Sequence, residues 1–338
     1  MRIIATIGPS VKGKKVIDDL ILAGVNTFRF NFSHGTITEF EDIRDIIKKL
    51  NCDVHIMVDL PGSKIRISDK LPYIYKIYNE EEVIFCGEDV YINEGYTVKK
   101  GKVRIIPLNI KNNTLREKEV KSISMKDGTM NFEIIGREKR GIRVKVKRGG
   151  IVRAGKGCNI KGYNRESKEL YSKDTIALNW AIKNKADIIC QSFVEGSEDI
   201  LKVKKYIKEN SSESYKPKIY GKIETPNGIE KAKIIADEVD GVVIGRGDLV
   251  PESSIIEAPI YQKKLLEALK DYNGEIIAGT HILNSMKGGR SPEFAEVDSV
   301  YNLIKNGING FLLSGETSIG KAPIKTVEFL KDLIIRYE

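Results

Sequence analysis

The stretches Lys218-Ile219-Tyr220-Gly221-Lys222-Ile223-Glu224 and Gly241-Val242-Val243-Ile244-Gly245-Arg246-Gly247-Asp248 share one design. Each begins as a run typical of a buried strand of a parallel sheet and ends in charged residues and a loop. A helix-like stretch follows each of them. This order places Lys222, Glu224 and Asp248 at the carboxyl ends of adjacent strands, the face that carries the chemistry in barrels of alternating strands and helices.

Two carboxylates and one ammonium group define the chemistry available at these strand ends. Glu224 and Asp248 suit an octahedral Mg²⁺ that keeps positions open for substrate oxygens. The ammonium of Lys222 suits a phosphoryl group or an oxyanion. The residues therefore indicate a site for a small phosphorylated or keto-acid anion held on a metal. The alternative is that Lys222 pairs with Glu224 structurally and that Asp248 only caps a turn.

The same alternation of apolar runs and helical spacing extends along most of the chain and predicts an α/β fold. Eight strands, each followed by a helix, are expected once one segment is set aside, and eight strands can close into a (β/α)8 barrel. The predicted strands are Arg2–Ile7, Asn26–Phe30, Val54–Val58, Asp187–Phe193, Lys218–Ile223, Gly241–Ile244, Glu275–Gly279 and Gly310–Leu313.

The segment set aside, residues 67–156, carries short β-like runs such as Ile142-Arg143-Val144-Lys145-Val146. It predicts a small all-β, β-barrel-like domain inserted after the third strand, which leaves residues 1–66 and 157–338 for the barrel. The segment holds 20 Lys and Arg against 12 Asp and Glu, hence +8 of the chain's net charge of +9. Binding to nucleic acid is not favoured, because the basic residues are not interleaved with aromatic ones.

The composition of the 338-residue chain excludes several classes of protein. Its 41% hydrophobic and 30% charged residues are typical of a globular protein. No apolar run approaches the ~18 residues of a membrane helix, so no membrane partner is expected. Three histidines are too few for a histidine-based metal centre. The scattered cysteines fit a reducing cytoplasm and argue against a structural zinc; they are Cys52, Cys86, Cys158 and Cys190.

Five short motifs, in one order, carry a resemblance to a known family. They are Ala5-Thr6-Ile7-Gly8-Pro9-Ser10, Arg29-Phe30-Asn31-Phe32-Ser33-His34-Gly35, Lys222-Ile223-Glu224, Arg246-Gly247-Asp248-Leu249 and Leu313-Ser314-Gly315-Glu316-Thr317. Along nearly its whole length the chain resembles pyruvate kinase, whose (β/α)8, or TIM, barrel carries a β lid where the insert falls here. One such motif would be a weak signal, whereas five in register make a chance match improbable.

The resemblance implies a role for each matching residue near the two strand ends. Lys222 would stabilise the phosphoryl group in flight, and Glu224 and Asp248 would hold Mg²⁺ or Mn²⁺. The backbone N–H groups of Gly247 and Asp248 would bind the substrate carboxylate, as helix starts bind anions. Thr280 corresponds to the threonine near the enol carbon, where protonation occurs.

Further matches imply sites for the phosphate, a monovalent cation and the nucleotide. Arg29 and Arg66 would face the transferred phosphate. The monovalent-cation pocket would comprise Asn31, Ser33, Asp59 and Lys64. The nucleotide would be approached by Pro9, Arg29, His34 and Lys156. Asp127-Gly128 falls on the lid segment that closes over the site.

The stretch Asp59-Leu60-Pro61-Gly62-Ser63-Lys64-Ile65-Arg66 departs from the family's usual Asp-Thr-Lys-Gly-Pro-Glu-Ile-Arg. Leu60 replaces a threonine that helps to ligate the monovalent cation, and Lys64 replaces a glutamate. In the family a lysine at this position accompanies independence from K⁺, because a tethered ammonium supplies the charge of the ion. We therefore expect that K⁺ is not required.

Other departures concern the carboxyl face and the end of the chain. The loop Val250-Pro251-Glu252-Ser253 replaces a glycine-rich run, His281 stands where glutamine is usual, and Glu195 stands where arginine is common. These changes could reshape the keto-acid or nucleotide side of the pocket. The chain ends at Glu338, where family members usually continue into a C-terminal domain, so a monomer or homodimer without that domain's allosteric control is expected.

The function that these observations favour is a glycolytic phosphotransferase. It would move a phosphoryl group between phosphoenolpyruvate, or a related enol phosphate, and ADP, giving pyruvate and ATP. One alternative is a metal-dependent lyase or aldolase acting on a pyruvate enolate, which would need the carboxylates but not the phosphate arginines. A second alternative is a non-catalytic paralogue that binds nucleotide.

Overall fold

The computed structural model describes residues 1–50, 53–94, 103–126, 128–163, 165 and 170–338. Cys52 and Asp127, both named above, lie outside the described residues. The chain divides into two compact units. The first comprises Met1–Gly62, Lys168–Leu249 and Ala258–Glu338, and the second comprises Ser63–Ser167 and Val250–Glu257.

The strands and helices are numbered along the described chain. The strands are β1 Arg2–Thr6, β2 Thr27–Asn31, β3 His55–Leu60, β4 Tyr75–Ile77, β5 Glu82–Gly87, β6 Arg104–Leu108, β7 Ser122–Met125, β8 Met130–Glu138, β9 Gly141–Arg148, β10 Gly150–Val152, β11 Cys158–Lys161, β12 Ile188–Gln191, β13 Lys218–Ile223, β14 Gly241–Gly245, β15 Glu275–Gly279 and β16 Gly310–Leu313. The helices are α1 Lys14–Ala23, α2 Ile37–Leu50, α3 Glu88–Glu94, α4 Asn112–Leu115, α5 Ser172–Asn184, α6 Ser197–Asn210, α7 Pro226–Glu230, α8 Ala232–Ala236, α9 Arg246–Glu252, α10 Ala258–Ala268, α11 Phe294–Lys305, α12 Gly315–Ser318 and α13 Pro323–Tyr337.

The first unit is a closed barrel of parallel strands in the order β1-β16-β15-β14-β13-β12-β3-β2. Strand β16 closes the ring by pairing with β1, where Phe311 lies beside Ile3. Helices lie between successive strands, as right-handed crossovers require. The predicted (β/α)8 barrel is therefore confirmed: β13, β15 and β16 have the predicted bounds, and the other barrel strands differ from them by one or two residues at an end.

Apolar side chains from seven of the barrel strands form a buried cluster, which explains why the strand sequences are continuously apolar. Strand β14, for example, is buried at all five of its residues. Parallel strands covered by helices have no solvent face, so they lack the alternation of half-exposed strands. The cluster comprises Ile4, Met57, Ile188, Cys190, Tyr220, Val243, Ile277 and Leu312.

Two prolines show where local sequence signals succeed and fail. Pro226 opens α7, where Thr225 caps the helix by accepting a hydrogen bond from the Gly228 N–H, as the first-turn proline predicts.

The interpretation of Val250-Pro251-Glu252-Ser253 as a loop is wrong for its first three residues. Helix α9 runs to Glu252 with Pro251 inside it, and a proline near the end of so short a helix removes only one backbone hydrogen bond.

The second unit is mostly β. A six-stranded sheet has the order β11-β7-β8-β9-β5-β6, and β10 pairs with β4. The pairs are antiparallel except β5 with β6. The second unit has an apolar core of its own, which includes the edge-to-face pair of Phe85 and Phe132, whose ring centroids lie 5.0 Å apart. Across both units, none of the helices within the described residues is long and apolar enough to cross a membrane.

Candidate active site

Asp59 is the centre of a cluster of charges near the carboxyl ends of the barrel strands. Its carboxylate is only 1% exposed. It accepts hydrogen bonds from Arg29 Nε at 2.6 Å and from Lys222 Nζ at 3.1 Å. The Ser192 hydroxyl donates a third, at 2.8 Å. Arg29, Asp59 and Lys222 lie on β2, β3 and β13, which β12 joins into one stretch of the sheet, so strand pairing rather than proximity in sequence brings them together.

The charges in this cluster fix one another's protonation states. Burial would raise the pKa of Asp59, but the charges of Arg29 and Lys222 and the Ser192 hydrogen bond hold that pKa at about 2. Burial would lower the pKa of Lys222, but the charges of Asp59 and Glu224 raise it to about 12. Lys222 is therefore an ammonium at neutral pH, which makes it a stabiliser of anions and not a base.

Glu224 follows β13 and is almost wholly buried, at 2% exposure. Its Oε1 accepts the backbone N–H of Phe193 at 3.0 Å and lies 3.8 Å from Lys222 Nζ. Its Oε2 lies against Gly245 on the neighbouring strand, where an added Cβ would be only 2.5 Å away. Gly245 therefore leaves room for the carboxylate, and Lys222 is closer to Asp59 than to Glu224.

The start of α9 approaches Thr280, which follows β15. An added Cβ at Gly247 would lie 2.9 Å from Thr280 Cγ2 and 3.3 Å from Thr280 Oγ1. Asp248 lies in the first turn of the same helix. Because β13, β14 and β15 are neighbours in the barrel, Glu224, Asp248 and Thr280 follow three adjacent strands. The structure therefore places Lys222, Glu224 and Asp248 at adjacent strand ends, as the sequence predicts, and Thr280 follows the next strand.

Glu224 and Asp248, which follow neighbouring strands, supply the oxygen ligands that Mg²⁺ prefers, and Gly245 leaves room for the Glu224 carboxylate. Within the described part of the chain no group of three or more His, Cys, Asp or Glu side chains could hold a metal ion. A site with two protein carboxylates fits this, since Mg²⁺ commonly takes its remaining oxygens from water and substrate phosphates. The residues present therefore fit a Mg²⁺ ion.

Arg246 holds the backbone that carries Thr280, a role the sequence analysis missed. Its Nη2 donates to the carbonyl oxygens of Thr280 at 2.7 Å and His281 at 2.6 Å. Thr280 and His281 have φ of 67° and 54°, which is strained for non-glycine residues and worst for a β-branched one. Burial lowers the pKa of Arg246, while Glu316 opposes this. Arg246 stands in a motif that the sequence analysis quotes, but the sequence does not show its partners, because Thr280 and His281 follow a different strand.

Four of the predicted cation and nucleotide residues of the first unit lie at the ends of β1 and β2: Asn31 ends β2, Ser33 and His34 follow it, and Pro9 follows β1. Asn31 Oδ1 accepts the Ser33 N–H at 3.1 Å, which closes the turn after β2. The His34 N–H donates to the Asn31 carbonyl at 2.9 Å in the same turn. Pro9 follows β1, which pairs with β2 in the barrel. These residues therefore share one side of the carboxyl face.

Three predicted site residues, Lys64, Arg66 and Lys156, belong to the second unit. Arg66 is buried, and its Nη1 donates to the Gly155 carbonyl at 2.9 Å. Lys156 Nζ donates to the Ile151 carbonyl at 2.9 Å. An added Cβ at Gly157 would lie 3.3 Å from Lys64 Cε. Lys64 and Arg66 thus both lie against the segment 155–157, and their functional roles stay predictions.

A family model described as the barrel domain of pyruvate kinase matches residues 1–327. The chain belongs to the pyruvate kinase family. It is 33% identical to the pyruvate kinase of Thermococcus litoralis over 97% of this chain and 68% of that relative, and 30% identical to that of Thermotoga maritima over 97% and 69%. The enzyme of Bacillus licheniformis is 28% identical over 100% of this chain and 57% of its own. Family membership makes the chain a pyruvate kinase-type phosphotransferase.

Proposed function

We propose that the chain transfers the phosphoryl group of phosphoenolpyruvate to ADP, giving pyruvate and ATP in the cytoplasm. The observation that carries the proposal is the buried cluster of Arg29, Asp59 and Lys222 beside Glu224, at the carboxyl end of a pyruvate kinase barrel. Phosphoryl transfer needs positioning and charge neutralisation more than covalent help. A buried ammonium and guanidinium held by one carboxylate supply both.

Lys222 and Arg29 would face the phosphoryl group as it moves from the enol oxygen to a β-phosphate oxygen of ADP. Asp59 holds both cations in place, and Arg29, Asp59 and Lys222 together keep one positive charge, which Glu224 offsets unless it holds the proposed metal ion. Burial strengthens their attraction for the developing anion, because water does not screen it. The high pKa of Lys222 means that the group keeps its charge throughout.

Glu224 and Asp248 would hold a Mg²⁺ or Mn²⁺ ion, which neutralises phosphate charge and polarises the enolate oxygen when bound. Gly247 and Asp248 open α9, so their N–H groups are suited to the substrate carboxylate. Thr280 lies against Gly247, which supports a position for its hydroxyl near that carboxylate and the adjoining enol carbon. Its hydroxyl would then take part in delivering the proton that turns the enolate into pyruvate.

A coupled assay of phosphoenolpyruvate plus ADP, with and without Mg²⁺, tests the proposal. We expect nucleotide-dependent formation of pyruvate and ATP that stops when Mg²⁺ is chelated. Carbon–carbon cleavage of a keto-acid without nucleotide would favour the lyase instead. A chain that forms no pyruvate, yet melts at a higher temperature with ADP, would be a binding protein.

We also propose that the enzyme needs no K⁺. Asp59, expected in the monovalent-cation pocket, is already bound by the cations of Arg29 and Lys222, and Lys64 replaces the family's glutamate. With ionic strength held by tetramethylammonium chloride, added K⁺ should leave the wild-type rate nearly unchanged. Lys64→Glu should become K⁺-dependent by about tenfold or more, since a positive charge is replaced by a negative one.

The matched control for this experiment is Lys118→Glu, which changes the same charge at an exposed position of the second unit. It should leave both the rate and its response to K⁺ as in wild type. A wild-type enzyme that is inactive without K⁺ would contradict the prediction.

A further inference from the structure

Asp174 is a buried carboxylate outside the residues assigned to substrate or metal. It lies on α5, the first helix after the chain returns to the barrel, and is 1% exposed. Its Oδ1 accepts the backbone N–H of Gly62 at 2.8 Å. Gly62 is the last residue before the chain enters the second unit. One buried hydrogen bond therefore connects the segment at which the chain leaves the barrel with the first helix after the chain re-enters it.

The turn at Gly62 fits tightly against the end of β12. Gly62 has a φ of 64°, in the left-handed region. A Cβ added there would lie 2.2 Å from the Ser192 carbonyl oxygen and 2.9 Å from Gln191 Nε2. The position of the turn is therefore set by three groups: the Asp174 carboxylate, the Gln191 amide and the Ser192 backbone.

Gln191 connects Asp174 to the reacting end of the site. Its Nε2 donates to the Ser192 carbonyl at 3.2 Å and lies 3.5 Å from Asp174 Oδ2. Its Oε1 is buried and has no hydrogen-bond partner among the described residues, so the amide is held through its N–H donors. The next side chain, Ser192, donates to Asp59 at 2.8 Å, and Asp59 holds Lys222.

We propose that Asp174 and Gln191 are positioning residues for phosphoryl transfer: they fix the Gly62 turn and the Ser192 hydroxyl, and through Ser192 the carboxylate of Asp59. This role rests on the proposed function, because the site it orders is the one that would hold the phosphoryl group. The groups that face Asp174 from Gly62 and Gln191 are both N–H donors. The side chain therefore completes the arrangement only as a carboxylate, since protonation places an O–H against an N–H.

The surroundings of Asp174 move its pKa towards neutral pH. Burial raises its pKa to about 6, in spite of the hydrogen bonds from Gly62 and Gln191. The charged groups that face it are Asp59 on β3, which adds to the rise, and Lys202 on α6, which opposes it. As pH falls through about 6, Asp174 loses its charge and the turn loosens.

The test is kcat at saturating substrates and Mg²⁺ from about pH 5 to about pH 8. Wild type should lose activity below about pH 6. Gln191→Met removes a hydrogen bond that lowers the pKa of Asp174, so it should move this decline to higher pH. Asp174→Asn mimics the protonated acid, so it should lose about tenfold or more in kcat at neutral pH and lack the decline.

Substrate ionisation is common to all variants, so a difference between their profiles belongs to the protein. Glu209→Gln, which removes an exposed carboxylate from α6, should match wild type. An unmoved decline in Gln191→Met, or a wild-type decline retained by Asp174→Asn, overturns the proposal.

Thermal unfolding separates failure of this role from failure of the proposed function. A carboxyl whose pKa rises from 3.8 to about 6 on folding stabilises the fold at low pH, and that stabilisation is lost as pH rises through about 6. The Tm of Asp174→Asn minus that of wild type should therefore increase as pH rises from 3.8 to about 6, whether or not the chain is a kinase. If the Tm difference appears without phosphoryl transfer, the proposed function fails and the positioning role falls with it. If transfer occurs and the Tm difference is absent, only the role of Asp174 is overturned.

Discussion

Lys222→Met is expected to lower kcat by about 10²–10³-fold, with a much smaller change in KM for phosphoenolpyruvate. The ammonium is buried beside Asp59 and Glu224 and stays charged at neutral pH. Its attraction for the phosphoryl group is greatest when that group is in flight, so its loss raises the barrier more than it weakens substrate binding. Methionine keeps much of the length of the stem and removes only the charge.

The fold should survive this substitution, because Asp59 keeps its hydrogen bonds from Arg29 and Ser192. Steady-state kinetics with a circular dichroism spectrum would measure both effects. Lys218→Met is the matched control: it lies on the same strand, is 53% exposed and pairs with Glu275 at 3.0 Å. An exposed pair contributes at most about 1 kcal/mol, so the control should keep full activity. A Lys222→Met enzyme with near-wild-type kcat would refute the proposed role.

The barrel and the candidate site face at its carboxyl end were predictable because both depend on local signals. Continuous apolar runs such as β14 mark strands buried on both sides, and the charged residues after them fall on one face by geometry alone. Lys222 and Glu224 were found in this way. The contact of Lys222 with Asp59, 163 residues away, was not, because their strands β13 and β3 lie on either side of β12 and no local pattern shows which strands pair.

The network behind the site carries no local sequence signal. Arg246 reaches the carbonyls of Thr280 and His281, and Asp174 reaches the Gly62 N–H across the length of the second unit's sequence. The left-handed conformation of Thr280 is also invisible in sequence, since β-branched residues rarely adopt it. Tertiary contacts impose that conformation, and a single sequence does not record them.

Glu224→Gln should raise the Mg²⁺ concentration needed for half-maximal activity by about tenfold to a hundredfold and lower kcat by about 10²-fold or more. Glutamine retains a carbonyl oxygen that can accept the Phe193 N–H, now at 3.0 Å, so the backbone there should keep its place. What is lost is one of the two negative charges proposed to hold the ion. A Mg²⁺ titration of the rate, with Mn²⁺ binding followed by electron paramagnetic resonance, measures the effect without relying on activity alone.

Gly245→Ala provides a steric test of the same carboxylate. Its Cβ would lie 2.5 Å from Glu224 Oε2, so the glutamate must move although its charge is unchanged. We expect weaker Mn²⁺ binding in this variant as well. Glu230→Gln on α7, whose exposed carboxylate pairs with Lys264, is the matched control and should bind Mn²⁺ normally. If Glu224→Gln and Gly245→Ala both bind Mn²⁺ like wild type, the ion is held elsewhere, and Glu224 serves only as a buried partner of Lys222 and the Phe193 backbone.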